Sequence, residues 1–257
     1  MRWIMRIALI TGASSGIGKW FALYTACYRK HIDELWLVAR SKRHLQTVGE
    51  KITRHTGIPC RVVPADLTSK EDLFYIEQLL IRQDPEISLL VNCAGYGMIG
   101  SFKRMHPSDL RGMIRLNCEA LTVLTKLCLP YMRRGSMTIN VASAAAFLPQ
   151  SDFAVYAATK SYVLSLSRGL AKEWKRSGVR VMTVCPGCID TPFFTRAEQY
   201  QGMKPFKKFF MANPRAVVRQ AMMDAAAGKR MSVYGTPIRL LYWTAKWMPD
   251  AVLRLFY

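Results

Sequence analysis

A tyrosine and a lysine stand four residues apart in the stretch Tyr156-Ala157-Ala158-Thr159-Lys160. On a helix that spacing puts both side chains on one face, one above the other. A phenol ordinarily titrates near ~10, and a neighbouring cation favours the phenolate. The pair therefore suits proton transfer to or from a reacting oxygen. Taken alone, a Tyr-x-x-x-Lys pair is better explained by an ordinary helix, so its meaning depends on the rest of the chain.

A second stretch, Thr11 to Gly18 (TGASSGIG), follows a short apolar run, Ile7 to Ile10. Gly12, Gly16 and Gly18 let the backbone turn tightly and approach a pyrophosphate at the next helix N-terminus. Ser14, Ser15 and Ile17 complete that candidate phosphate loop. The next apolar run, Leu35 to Val38, leads to Ala39 and Arg40, with Lys42 and Arg43 behind. A carboxylate there would hold the ribose 2′-hydroxyl of NAD, whereas arginine pairs bidentately with a 2′-phosphate. The expected cofactor is thus NADP(H) in preference to NAD(H). Asp66-Leu67 is placed to meet an adenine edge, and Asn92-Cys93-Ala94-Gly95 offers small residues, notably Ala94 and Gly95, to a ribose.

These stretches need elements to hold them. Apolar runs recur at Cys60 to Val63, Ile87 to Val91, Met137 to Val141 and Val179 to Val184. Amphipathic stretches at 16–29, 42–55, 69–82, 108–133 and 155–177 separate them. Apolar strands alternating with helices predict a parallel sheet covered on both faces, with right-handed crossovers. The expected fold is a single-domain, α/β, doubly wound Rossmann-like fold over residues 1–257. A helix over 214–227 and a seventh strand at Met231 to Tyr234 complete it.

Composition narrows the class. The longest uncharged runs are short and contain polar residues and glycines, which predicts no transmembrane helix. The apolar run after Met1 is too short for a secretory core, so the chain reads as cytoplasmic. Seven scattered cysteines agree with a reducing compartment. Cys185-Pro186-Gly187-Cys188 has redox spacing but follows a strand, so a turn is the better reading, and no cluster suggests a metal. The net charge of +20 suggests an anionic partner, such as a phosphorylated cofactor, an acidic carrier protein or anionic lipid. No nucleic-acid-binding signature accompanies it.

In combination, TGASSGIG, Asp66-Leu67, NCAG, Asn117, Ser143, YAATK and Pro186-Gly187-Cys188-Ile189-Asp190-Thr191 resemble the classical short-chain dehydrogenases/reductases. Ser143 precedes Tyr156 by 13 residues, as that family's pattern requires. The resemblance runs from about Met5 to Phe194 and implies an NAD(P)-dependent oxidoreductase, commonly a homodimer or homotetramer. It implies that Tyr156 exchanges the proton, Ser143 holds the substrate oxygen, and Lys160 lowers the phenol pKa and reaches the nicotinamide ribose. Asn117 would hold a water that resupplies protons. Pro186, Gly187, Ile189 and Thr191 would meet the cofactor, Thr191 on its carboxamide side. Cys93 and Ala142 depart from the pattern without removing a catalytic group.

The resemblance places a substrate lid at about 188–213. That loop holds Phe193, Phe194, Met203, Phe206, Phe209, Phe210 and Met211, which suggests a cover over an apolar ligand. Phe147, Leu148, Gln150 and Phe153 should flank the same pocket. The expected substrate is a bulky hydrophobic ketone or alcohol of steroid, fatty or aromatic type, and the resemblance extends to hydroxysteroid dehydrogenase-like carbonyl reductases. Two alternatives remain open: a 3-oxoacyl carrier-protein reductase, with cations at the site mouth, and a non-catalytic NADP-binding regulator. The basic, apolar tail, 236–257, suits pocket or oligomer packing better than peripheral membrane contact.

Overall fold

The computed structural model describes residues 4–28, 31–202 and 211–247. Seven strands form one parallel sheet: β1 (Arg6–Thr11), β2 (Glu34–Ala39), β3 (Cys60–Pro64), β4 (Glu86–Asn92), β5 (Met137–Val141), β6 (Arg180–Val184) and β7 (Met231–Ser232). Their order is β3-β2-β1-β4-β5-β6-β7. The order reverses beside β1, which opens a crevice between the loops after β1 and β4, the expected place for a ligand.

The helices are α1 (Gly16–Tyr28), α2 (Lys42–Thr56), α3 (Lys70–Gln83), α4 (Pro107–Ile114), α5 (Leu121–Cys128), α6 (Ala154–Glu173), α7 (Phe193–Ala197), α8 (Pro214–Ala226) and α9 (Thr236–Trp247). Alternation along β1 divides the core. Ala8 and Ile10 join Phe21, Leu45, Ile52 and Val218 from α1, α2 and α8. Ile7 and Leu9 join Ile76, Leu80 and Leu124 from α3 and α5 on the other face. Successive strand side chains point to opposite faces, so a sheet covered twice must be apolar at every position. The Rossmann-like fold expected from the apolar runs is the fold found.

Two elements differ from the sequence expectation. The helical stretch at 108–133 is broken by a π-helical turn, Arg115–Ala120, between α4 and α5. Asn117 lies in that turn with both ends of its carboxamide engaged. Its Oδ1 accepts from the Tyr96 amide (3.0 Å), and its Nδ2 donates to the Tyr96 carbonyl (2.8 Å) and Thr159 Oγ1 (3.0 Å). The other difference is β7, which stops at Ser232 rather than Tyr234. The Val233 carbonyl instead accepts from the Arg239 guanidinium at 3.1 Å, outside the ladder.

Candidate active site

A cleft of about 1950 Å³ lies beyond the carboxyl ends of the strands. That is roughly double the usual upper size of a small-molecule site, room for a large cofactor together with a substrate. Gly12, Ser14, Ser15, Gly16, Ile17 and Gly18 form one wall. Gly12 has φ 65°, and a Cβ there would meet Ala94 backbone at 3.1 Å. The loop is therefore pressed against the end of β4. Thr11 fixes that contact, since its Oγ1 accepts from the Cys93 and Ala94 amides at 2.9 and 3.0 Å. The first turn of α1 carries no acidic residue, so nothing opposes an anion at its N-terminus.

Arg40 lines the cleft at the end of β2, with Ser41 and His44 beside it. Lys42 and Arg43 face solvent instead, because Ser41 caps α2 and turns them outward. Asp66 and Leu67 also line the wall. Partial burial acts to raise the Asp66 carboxyl, but the Thr68 hydroxyl (2.7 Å) and amide (2.9 Å), with Arg40 and Arg115, hold it below the usual range. Gly95, Pro186, Gly187, Ile189 and Thr191 complete this half, with Ala94.

Asn92, expected at the cofactor, does not line the cleft. It is buried, and its Nδ2 donates to Thr125 Oγ1 (2.9 Å) and Asn140 Oδ1 (2.8 Å). Asn140 continues the chain to Ser167 Oγ at 2.9 Å. Here the side chain on the last residue of β4 points into the core, while the backbone beyond it turns to the cleft.

The catalytic candidates converge from β5 and α6. Ser143 follows β5, and its Oγ accepts from the Ala145 amide at 3.2 Å, which fixes the hydroxyl. Tyr156 lies in the first turn of α6, its ring stacked on Phe153 (4.3 Å between centroids) and tilted against Phe193 (5.6 Å). Burial pushes the phenol well above its ordinary range, and the Ser143 hydroxyl opposes this by hydrogen-bonding it. Lys160, buried one turn on, donates from Nζ to the Val141 carbonyl at 2.9 Å, with Nζ 5.6 Å from the Tyr156 ring centre. The Lys160 ammonium thus stands beside the phenol ring, while the hydrogen bond to the phenol comes from Ser143. Asn117 does not line the cleft; it sits one layer behind, positioning the Tyr96 backbone.

Burial also draws Lys160 down to about 8. A lysine whose pKa is lower folded than unfolded subtracts stability. The penalty is full below about pH 8 and fades as pH rises toward the unfolded ~10.4. Lys160→Met should therefore raise the melting temperature at neutral pH, by ~3 kcal/mol in stability, while abolishing turnover. Melts at stepped pH should show the gain shrinking above about pH 8. A lower melting temperature at neutral pH would contradict it.

The other half of the cleft is apolar around Tyr156. Phe153, Phe193 and Phe194 line it as expected, with Gln150, Leu148, Ile99 and Tyr96. Phe147 does not; it packs on Tyr242 of α9 at 5.0 Å between centroids. The loop after β6 is tied at both ends, Cys188 carbonyl to Ala212 amide (2.9 Å) and Asp190 amide to Ala212 carbonyl (3.1 Å). Met203, Phe206, Phe209 and Phe210 lie outside the described residues. Cys185 is fully buried and its thiol is pushed up to about 12, so it stays protonated and the Cys185–Cys188 stretch acts as a turn.

Gly97 and Arg196 carry no sequence signal for the places they take at the cleft. A Cβ on Gly97 would lie 2.5 Å from Tyr156 Cδ2, so this glycine makes room for the Tyr156 ring. Arg196 stacks on Tyr96 at 3.5 Å from the ring centre. Pro237, Ile238, Leu241 and Thr244 of α9 line the cleft, one of the placements the apolar tail left open.

Residues 6–202 match the family model for short chain dehydrogenases. The chain is 32% identical over 191 residues to 17-beta-hydroxysteroid dehydrogenase type 3 of Mus musculus, covering 72% of this chain and 60% of the mouse protein. It thus spans less than two thirds of that relative. A short-chain dehydrogenase from Sphingobium yanoikuyae, solved in complex with NADPH, superposes with a TM-score of 0.81 at 31% identity, covering 97% of this chain and 92% of that one. The bulky-bulky ketone specific alcohol dehydrogenase of Comamonas testosteroni superposes with a TM-score of 0.75 at 26% identity, over 96% and 93%. With the glycine loop, the serine, the tyrosine and the lysine arranged around one cleft, the chain belongs to the short chain dehydrogenases.

Proposed function

We propose that the chain is an NADP(H)-dependent reductase of bulky hydrophobic ketones, of steroid, fatty or aromatic type. The observation that carries the reading is a buried, protonated Tyr156 set among Phe153, Phe193 and Phe194 in a cleft large enough for cofactor and substrate. The relatives agree in kind: one is an NADPH complex, one acts on bulky-bulky ketones, and one is a hydroxysteroid dehydrogenase.

The residues fit a dinucleotide. A Cβ on Gly18 would sit 2.2 Å from the Gly12 carbonyl oxygen, so glycine there lets the loop close tightly on itself along the cleft wall, as a pyrophosphate-binding turn requires. The loop amides would hold the pyrophosphate, Arg40 the 2′-phosphate, Asp66 and Leu67 the adenine, and Thr191 the carboxamide side. A bound nicotinamide supplies the hydride. Tyr156 donates its phenolic proton to the carbonyl oxygen, and Ser143 holds that oxygen against the phenol. Lys160, anchored on the Val141 carbonyl, keeps a proton source behind the phenol. A phenol held protonated by burial is ready to act as the proton donor of the reductive direction near neutral pH.

The carrier-protein reading asks for a basic mouth. Among the described residues, the substrate half is lined by one arginine, Arg196, and two acids, Asp109 and Asp152. That balance favours an uncharged apolar substrate.

The reading is tested by following NADPH and NADH oxidation against a panel of steroid, aliphatic and aromatic ketones and a 3-oxoacyl thioester. NADPH with a bulky ketone should be preferred. Arg40→Ala should weaken NADPH by about 10-fold or more and leave NADH nearly unchanged, since one charge-assisted contact is lost. Equal loss for both cofactors would remove Arg40 from the 2′-phosphate.

A further inference from the structure

Helix α9 has two unlike sides. On one, Pro237, Ile238, Leu241 and Thr244 wall the cleft. On the other, Leu240, Trp243 and Trp247 remain 64%, 53% and 73% exposed. Their spacing, three and then four residues, makes one continuous stripe along the helix. Lys246 stands in the stripe, its Nζ 5.5 Å from each indole centre. Residues 225–247 hold four Lys or Arg and no acid, within a chain of net charge +20.

Two occupants would cover such a stripe. A second copy related by a two-fold axis would bring this acid-free segment against itself, setting like charges together. An anionic lipid surface meets both properties: indoles settle at headgroup depth and cations face lipid phosphates. No helix among the described residues is long and apolar enough to cross a membrane, so contact through α9 would be at the surface.

We propose that α9 seats the protein on an anionic lipid surface, with Leu240, Trp243 and Trp247 in the headgroup layer and Lys246 on lipid phosphate. Because another side of the same helix walls the cleft, the cleft then lies one helix thickness from the lipid, where a bulky apolar ketone dissolves. This last step rests on the ketone reading; the lipid binding does not.

The test uses the full chain, floated with phosphatidylcholine vesicles and with vesicles containing phosphatidylglycerol. Binding only to the second, weakened by salt and accompanied by a blue shift of tryptophan emission, is expected. The W243A/W247A double variant should bind those vesicles at least 10-fold more weakly, yet turn over a water-soluble ketone without vesicles at the wild-type rate. Where the double variant does not fold, Trp247→Ala alone, at the most exposed position, replaces it. Failure of the wild type to float, or undiminished floating of the variant, overturns the proposal. So does a change in oligomeric mass of the variant without vesicle binding by the wild type, which would give the stripe to a second copy. Vesicle binding without turnover on any ketone would remove the ketone reading alone.

Discussion

Tyr156→Phe should lower ketone turnover by about 10³-fold while leaving NADPH binding within a factor of about three. The substitution removes one oxygen and little else. The ring keeps its stack on Phe153, its contact with Phe193 and the space made by Gly97. The proton donor is lost, whereas the glycine loop, Arg40 and Thr191 are untouched. Stopped-flow hydride transfer and fluorescence titration with NADPH separate the two effects. The pH profile adds a readout: the wild type, with its phenol raised by burial, should hold its reductive rate flat through neutral pH. A loss smaller than about 10-fold would mean that the proton comes from Ser143 or from water.

Gly18→Ala is the second large effect. Its new methyl would lie 2.2 Å from the Gly12 carbonyl oxygen, 2.7 Å from the Gly12 carbonyl carbon and 3.1 Å from the Thr11 oxygen. All three are backbone atoms, so no rotamer relieves the clash. Gly12 cannot retreat, because Ala94 backbone stands behind it. The loop must therefore open, with ~2–4 kcal/mol of stability lost and cofactor affinity reduced by about 100-fold or more. Gly57→Ala is the control. Gly57 has φ 74° at the end of α2 with nothing within 4 Å of its would-be Cβ, so it should cost only ~1 kcal/mol and leave binding intact. Thermal melts and NADPH titration of both variants decide. Equal behaviour would show that crowding at Gly18 does not govern the loop.

Strands and phosphate loop were readable because their signals are local. A strand buried on both faces must be a continuous apolar run, and Ile7 to Ile10 and Leu35 to Val38 are such runs. The glycines must follow the first strand, and Ser143, Tyr156 and Lys160 are held by spacing within adjoining segments. What escaped depends on partners distant in the chain. The π-helical turn exists where Asn117 reaches Tyr96 and Thr159, 21 and 42 residues away. Asn92 and Phe147 were assigned to the cleft from their loops, but the direction of each side chain is set by Thr125 and Asn140, and by Tyr242. Gly97 carries no message until the ring above it is seen. The inner side of α9 could be judged only once the helix lay across the cleft.

The polar chain from Thr125 through Asn92 and Asn140 to Ser167 also bears on how the chain finds its fold. Asn92 and Asn140 are register partners on β4 and β5, strands that meet only across a long crossover. Parallel pairings of this kind form slowly, and an apolar strand sliding along another apolar strand meets little resistance. A slip of two residues would keep every side chain on its proper face, so hydrophobicity alone would not reject it. It would, however, break the Asn92–Asn140 hydrogen bond in the interior, at ~1–3 kcal/mol. The asparagine pair thus works as a proofreading device for strand alignment, and the alignment it protects is the one that brings Ser143 level with the glycine loop.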